Sequence, residues 1–418
     1  MMLKPKAAPT PGVARAIGVH EQNAPNRSTP NSLMISLGAY ASLFPVALLN
    51  SIGTSLLGAL LLLLAYIIKP RLNIFDLLLL VLCLMGAYAW LSAEGFGQSF
   101  IESQISSYMV FLCSLRFFHA GRQGIERLLL SLPIAFYVVL CLFYLGVQTH
   151  VGYVYEVGVL EAYMMVCVGA SAQRRNTMLV LLTTYLLLMY LISTRDTPLA
   201  AALIVMVVWM LKMPRQLYKY MYLTPIFVTP FVGFILMRMD LSDSVLVEDG
   251  NIEIRLEMLK GASAQLGLDE ILLGMGFGSP FRDTSYAYAF WHPLLNERFA
   301  VFKVSNHNSL FDVFLRFGIF GYVLFCVLFL KIFSLDRLSS RYGYVLLFIV
   351  LYSLSVNAYL DSTRLAHSCA AMIGGIYILL KPRYFGAGYN ISRKQFLAAE
   401  PRDEPIGTHM LNRSDRNH

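Results

Sequence analysis

The stretch SNHNSLFDVFLRFGIFGYVLFCVLFLK, residues 305–331, passes within a few positions from a polar loop into an apolar block long enough to cross a bilayer. An α-helix rises about 1.5 Å per residue, so roughly 20 apolar residues match a hydrocarbon core about 30 Å thick. Eleven further blocks of similar character occur, and the twelve lie at about 33–49, 54–68, 73–91, 104–118, 128–147, 157–172, 176–193, 197–211, 221–238, 309–331, 343–359 and 366–380. Several carry a polar residue, such as Asp76, Gln104 and Glu161. Apolar residues make up 57% of the chain and charged residues only 14%, with a mean hydropathy of +0.60. Soluble domains carry about 25% charged residues. The expected fold class is therefore all-α: a polytopic transmembrane bundle of about 12 helices, with one long outside loop containing short amphipathic helices.

Charge placement orients the bundle. Residues 1–32 are polar, lack the apolar core and cleavage site of a removable signal peptide, and carry Lys4, Lys6, Arg15 and Arg27. The positive-inside rule places them in the cytoplasm. Counting helices from there, 24 of the 33 basic residues fall on inside segments, including Lys69, Arg71, Arg116, Arg122, Arg127, Arg174 and Arg175. The alternation does not break, so the helix count is even and both termini are expected inside. The net charge of +8 reads as inner-leaflet anchoring to membrane lipids and not as nucleic-acid binding. Three regions follow: a disordered cytoplasmic N-terminus (1–32), a transmembrane domain (33–380) with its outside loop at about 239–306, and a polar, disordered cytoplasmic tail (381–418).

The six cysteines, Cys83, Cys113, Cys141, Cys167, Cys326 and Cys369, all lie in apolar segments and read as small buried hydrophobes. No Cys/His spacing suggests a metal, and Asp240 and Asp243 read as solvated loop charges.

The outside loop concentrates the chemistry. Asn251 can cap a helix that Gly267 can end, and Ile252, Leu256, Leu259, Ala262 and Leu266 recur along one face between them. That helix is expected on the membrane or against the bundle mouth, with Arg255 flanking its apolar stripe. The run Gly274-Met-Gly-Phe-Gly-Ser-Pro280 reads as a structural bend, because no strand–helix context makes it a nucleotide loop. Tyr286, Tyr288, Phe290 and Trp291 read as an interfacial belt.

His307-Asn308, nine residues, Gly318, two residues, Gly321 resembles the signature of the bacterial O-antigen ligase and O-antigen polymerase superfamily. Arg255-Leu-Glu-Met-Leu259 is similar to an Arg-x-x-x-Leu element of those proteins, and Ser193-Thr-Arg195 to their Thr-x-Ser-Arg segment. Here the serine and threonine order departs from the pattern, and Asp196 stands where a small residue is usual. The likeness spans roughly 176–335.

The resemblance implies an inverting, metal-independent glycosyltransferase without cofactors, working at the periplasmic face of the bacterial inner membrane. The implied donor is a glycan on undecaprenyl diphosphate. The implied acceptor is lipid A–core in a ligase or a lipid-linked repeat unit in a polymerase, alongside partners in a polysaccharide-assembly complex. In these terms His307 is the catalytic base, because an imidazole titrates near operating pH. Arg195 and Arg255 bind the diphosphate through planar guanidiniums. Asn308, Arg316 and Arg364 are secondary candidates, and Gly318 and Gly321 are expected to serve close helix packing. Two readings from other classes compete: a twelve-helix transporter or lipid-linked oligosaccharide flippase, and a non-catalytic scaffold. The transporter reading lacks the paired halves and long central inside loop such folds show.

Overall fold

A computed structural model of the chain describes residues 30–43, 51–92, 96–151, 157–211, 215–238, 250–279, 281–283, 290–292, 297–299, 301–303, 308–332, 341–357, 359–360 and 363–380. The N-terminal segment before residue 30 and the tail after 380 lie outside them. So do His307, Asp240, Asp243, Tyr286 and Tyr288.

Among the described residues the chain is helical: α1 (Pro30–Leu43), α2 (Ser51–Ile68), α3 (Ile74–Ser92), α4 (Phe96–Ser131), α5 (Ile134–Val151), α6 (Val159–Ala170), α7 (Arg175–Ser193), α8 (Asp196–Met210), α9 (Arg215–Leu236), α10 (Gly250–Ala264), α11 (Leu268–Leu273), α12 (Ser309–Ile332), α13 (Arg341–Val356) and α14 (Thr363–Leu380). Each of the twelve apolar blocks overlaps one of these helices. Among the described residues there are fourteen helices, of which α10 and α11 fall in the expected loop. That loop also holds four unexpected three-residue strands, β1 (Phe281–Asp283), β2 (Phe290–His292), β3 (Glu297–Phe299) and β4 (Val301–Lys303). They pair antiparallel as β1–β4 and β2–β3, with Arg282 opposite Phe302 and Trp291 opposite Arg298. Three residues are too few to display a period of two, so no sequence pattern announces them.

Three described helices are long and apolar enough to cross a membrane by themselves: α3, α7 and the Ser309–Val327 part of α12. A fourth is added if α4 and α5 count as one broken span, bent by 96°. Some of the shorter apolar helices are buried. α6 has 12 residues, about 18 Å of rise against about 30 Å of hydrocarbon, yet every side chain from Val159 to Val168 is buried. In α3, by contrast, only 17% of the window is buried. Non-helical backbone is tolerated at membrane depth where protein surrounds it, so a sheathed helix can be short.

The polar residues that interrupt the apolar blocks turn out to join elements. Asp76 pairs with Arg116 at 3.0 Å, with the two side chains 6% and 1% exposed, and its other oxygen accepts the Asn73 N–H at the start of α3. Arg116 also donates to the carbonyls of Lys69 and Arg71, which staples the α2–α3 turn to α4. Glu161 caps its own helix by accepting the Gly158 N–H. Gln104 accepts the Gly278 N–H at 2.8 Å, binding the glycine run to α4. Three of the basic residues read as lipid anchors are engaged inside the protein instead. Arg116 is buried, Arg122 sits over the Tyr377 ring, and Arg174 donates to the Leu132 carbonyl beside Pro133, where α4 breaks from α5. Five of the six cysteines are buried as expected, and Cys83 is half-buried.

Proline leaves a similar signature in α9. Pro230 has no N–H to give to the Ile226 carbonyl, and the Tyr322 hydroxyl of α12 donates to it at 2.7 Å. On the same helix, a side chain at Gly233 would collide with Ser263 and the Leu259 carbonyl of α10. Met258, Leu259, Ala262 and Ser263 are buried in that contact. α10 therefore lies against the bundle mouth. It ends at Ala264, not Gly267, and Gly267 instead opens α11.

Candidate functional site

The ends of four helices meet around the start of α12. Asn308 is buried and caps that helix: its Oδ1 accepts the Phe311 N–H at 3.0 Å and its carbonyl accepts the Asp312 N–H at 2.8 Å. An Asn at this position satisfies a donor that the helix cannot satisfy itself. Ser309 then donates twice to the Asn357 carbonyl, by N–H at 3.0 Å and by hydroxyl at 2.7 Å, while its Oγ accepts the Leu360 N–H. Next to Leu360, the Tyr359 hydroxyl donates to the Val157 carbonyl at 3.1 Å and accepts the Val157 N–H at 3.2 Å. One chain of bonds thus joins the beginning of α12, the end of α13, the approach to α14 and the approach to α6. His307 lies outside the described residues; its neighbour Asn308 caps α12, and the next residue, Ser309, ties that helix start to Asn357 and Leu360.

Arg195 is the residue before α8, in extended conformation (φ −103, ψ 139). It follows Thr194, which is left-handed (φ 53, ψ 28) and is the only non-glycine residue with positive φ among the described residues. Such a conformation costs about 1–3 kcal/mol and persists where the surroundings enforce it. The two-residue turn Thr194–Arg195 reverses α7 into α8, and Pro198 sits in the first turn, where its missing N–H is harmless. Because α6 and α7 form a hairpin through 171–174, α7 returns to the bundle end where α6 begins.

Arg255 stands three and four positions before Met258 and Leu259, on the face of α10 turned to the bundle, and is half-buried. It has no ionic or hydrogen-bonded partner among the described residues. Arg364 lies in the first turn of α14, four residues after Leu360. Arg195, Arg255, Asn308 and Arg364 therefore belong to four elements at one end of the bundle.

Arg316 is placed differently. It is 2% exposed, and its Nη1 donates to the Gly276 carbonyl at 2.8 Å and the Ser279 carbonyl at 2.7 Å. Those bonds tie it to the glycine run. Gly318 does more than the expected packing. Besides letting the end of α11 approach closely, with the backbone of Leu272 and Gly274 where a β-carbon would lie, it breaks α12 (φ 63, ψ −168). The expected bend in the glycine run is present: Gly274, Gly276 and Gly278 all have positive φ.

Sequence reasoning missed Ser309, Asn357 and Tyr359, whose single hydroxyl and amide groups carry no spacing signal. Gln104 had one, a lone amide in an apolar block, although nothing named its partner.

Residues 177–326, just over a third of the chain, match the family described as O-Antigen ligase. The match covers Arg195, Arg255, His307, Asn308, Arg316, Gly318 and Gly321 and leaves out Arg364. Neither the comparison with curated proteins nor that with solved structures finds a match.

Proposed function

We propose, from the premise that residues 177–326 are an O-antigen ligase domain of the O-antigen ligase and polymerase superfamily, that this multi-pass membrane protein is an inverting, metal-independent glycosyltransferase. It acts at the periplasmic face of the bacterial inner membrane and moves a glycan from undecaprenyl diphosphate to a sugar hydroxyl of lipid A–core or of a lipid-linked repeat unit. The observation that carries the reading is the family match itself, whose span holds the candidate base and both leading arginines. The strained Thr194 beside Arg195 supports it, since stored backbone strain gathers at functional sites.

In this reaction the acceptor hydroxyl attacks the anomeric carbon as His307 takes its proton. The bond from that carbon to the diphosphate oxygen breaks, and the departing diphosphate keeps the electron pair. Arg195 and Arg255 bind the growing negative charge, with strength that a water-poor site increases. Asn308 holds the helix start on which His307 is mounted.

The assay uses the purified full chain, an undecaprenyl-diphosphate-linked glycan, and either lipid A–core or a second lipid-linked unit as acceptor. Transfer is expected to continue in the presence of a chelator. Product on lipid A–core identifies a ligase, longer lipid-linked chains identify a polymerase, and absence of transfer to either refutes the reading. If Arg195 and Arg255 hold the diphosphate, Arg195→Lys and Arg255→Lys are each expected to express normally and lose most transfer, because an ammonium cannot reproduce the two-bond fork. Wild-type rates in both would return these arginines to a structural role.

Orientation has its own test. In a cysteine-free background, single cysteines at Asp249 and Arg282 should react with an impermeant thiol reagent once the outer membrane alone is permeabilised. Labelling that requires rupture of the inner membrane would reverse the orientation and every role assigned here.

A further inference from the structure

The break in α12 leaves its first nine residues as a separate half-helix with a mounting at each end. At the start are the Asn308 cap and the Ser309 bonds to Asn357 and Leu360. At the break, the Leu315 and Arg316 carbonyls would accept from Ile319 and Phe320 in a continuous helix. They accept instead from the N–H groups of Met275, at 2.7 Å, and Gly276, at 3.2 Å. Arg316 returns two bonds to the same run, to Gly276 and Ser279. On the run's other flank Gln104 of α4, 2% exposed, accepts the Gly278 N–H at 2.8 Å. Phe277 is held edge-on between Tyr108 of α4 and Phe317 of α12, with ring centroids 5.9 and 5.4 Å away. The glycine run is thus wedged between α4 and the break, with its backbone polar groups satisfied by α12 and Gln104, as irregular backbone within a membrane bundle requires.

This run continues directly from α10 and α11, the segment that carries Arg255. We infer that Arg316 and Gln104 are positioning residues that latch the Arg255 segment to the half-helix that begins at Ser309, two positions after His307 in the chain, and so set the spacing between the diphosphate-binding and proton-accepting groups. The inference rests on the glycosyltransferase reading for its functional meaning and on the hydrogen bonds alone for its mechanics. With its two Nη1 bonds made to main-chain carbonyls, Arg316 acts through the latch and not on the substrate. Misplacement of reacting groups by about 1 Å can cost about 100-fold in rate while leaving binding nearly intact.

Two measurements on the full chain in nanodiscs separate the possibilities. Spin labels at Ala264→Cys on α10 and Leu324→Cys on the exposed face of α12, in a background without native cysteines, report the distance across the latch. The distribution should be narrow in the parent protein and broader in Arg316→Gln and Gln104→Leu. The same variants should lower the transfer rate about 10- to 100-fold. Affinity for undecaprenyl diphosphate should stay within about threefold, the pattern of lost transition-state positioning and not of lost uniform binding. Arg316→Lys, which keeps donors for the two carbonyls, should restore part of both the narrow distribution and the rate. If Arg316→Gln does not fold, Arg316→Lys and Gln104→Leu carry the comparison. An unchanged distribution overturns the latch; combined with weakened undecaprenyl diphosphate binding, it would make Arg316 a ligand. Should the parent protein transfer nothing, the glycosyltransferase reading fails while the distance measurement still decides whether the latch exists.

Discussion

Replacing His307 by glutamine is expected to leave a folded, membrane-inserted protein that binds the lipid-linked donor but transfers glycan about 10²–10⁴-fold more slowly, the usual cost of losing a positioned general base. His307→Ala should behave alike, since glutamine can hydrogen-bond to the acceptor hydroxyl but cannot take its proton. The wild-type rate should fall on acidification, because only the neutral imidazole accepts a proton. Asn308→Ala provides the contrast. It removes the Phe311 cap and should cost about 1 kcal/mol of stability with a smaller loss of rate. Rates are measured in the reconstituted assay alongside donor binding. Near-normal turnover by His307→Gln would end the general-base role and leave the histidine with acceptor positioning, with the arginines catalysing by charge alone.

Gly318→Ala is expected to abolish accumulation of a well-behaved protein, whereas Gly276→Ala should yield a folded one. Both glycines have positive φ, at 63° and 77°. An L-residue in such a conformation costs about 1–3 kcal/mol, and Gly276→Ala should cost no more than that, since a β-carbon there meets nothing within 4 Å. At Gly318 the added carbon would lie 2.3 Å from the Leu272 carbonyl oxygen and 2.5 Å from the Gly274 nitrogen, both of them backbone atoms. Backbone cannot rotate aside as a side chain can, so the glycine run would have to leave the break and expose the Leu315 and Arg316 carbonyls. The expected penalty is above about 4 kcal/mol, in the range reserved for backbone strain and lost buried networks. Monodispersity after detergent extraction and the thermal midpoint measure both variants. Equal behaviour would show that φ alone, and not the backbone contact, explains the glycine at 318.

The glycines of the motif show where sequence reasoning stopped. Gly318 and Gly321 invite a helix-packing explanation because small residues let helices approach. The structure pairs Gly318 with Gly274, more than forty positions earlier, and the purpose of each is visible only when the other is in place. Arg316 shows a related limit. Nine positions after His307 it is a secondary candidate by spacing, and only the fold shows that its Nη1 donates to two carbonyls of the glycine run. The placement of Arg195 and Arg255 in the chain is local: one stands in a tight two-residue turn between helices, the other on a helix whose apolar stripe can be counted.

The sequence by itself determined the class of this protein. Apolar blocks set by bilayer thickness, basic residues biased to alternate loops and an ordered set of short motifs each require only neighbouring residues to be read. The register of those blocks against one another was decided by the tertiary structure alone. Asp76 with Arg116, Gln104 with Gly278, Tyr322 with Ile226 and Ser309 with Asn357 are single polar groups that lie far apart in the chain. Water does not reach such groups in a bundle interior, so each must find its partner in another element. Which partner it finds depends on how every intervening helix packs, and no local pattern encodes that.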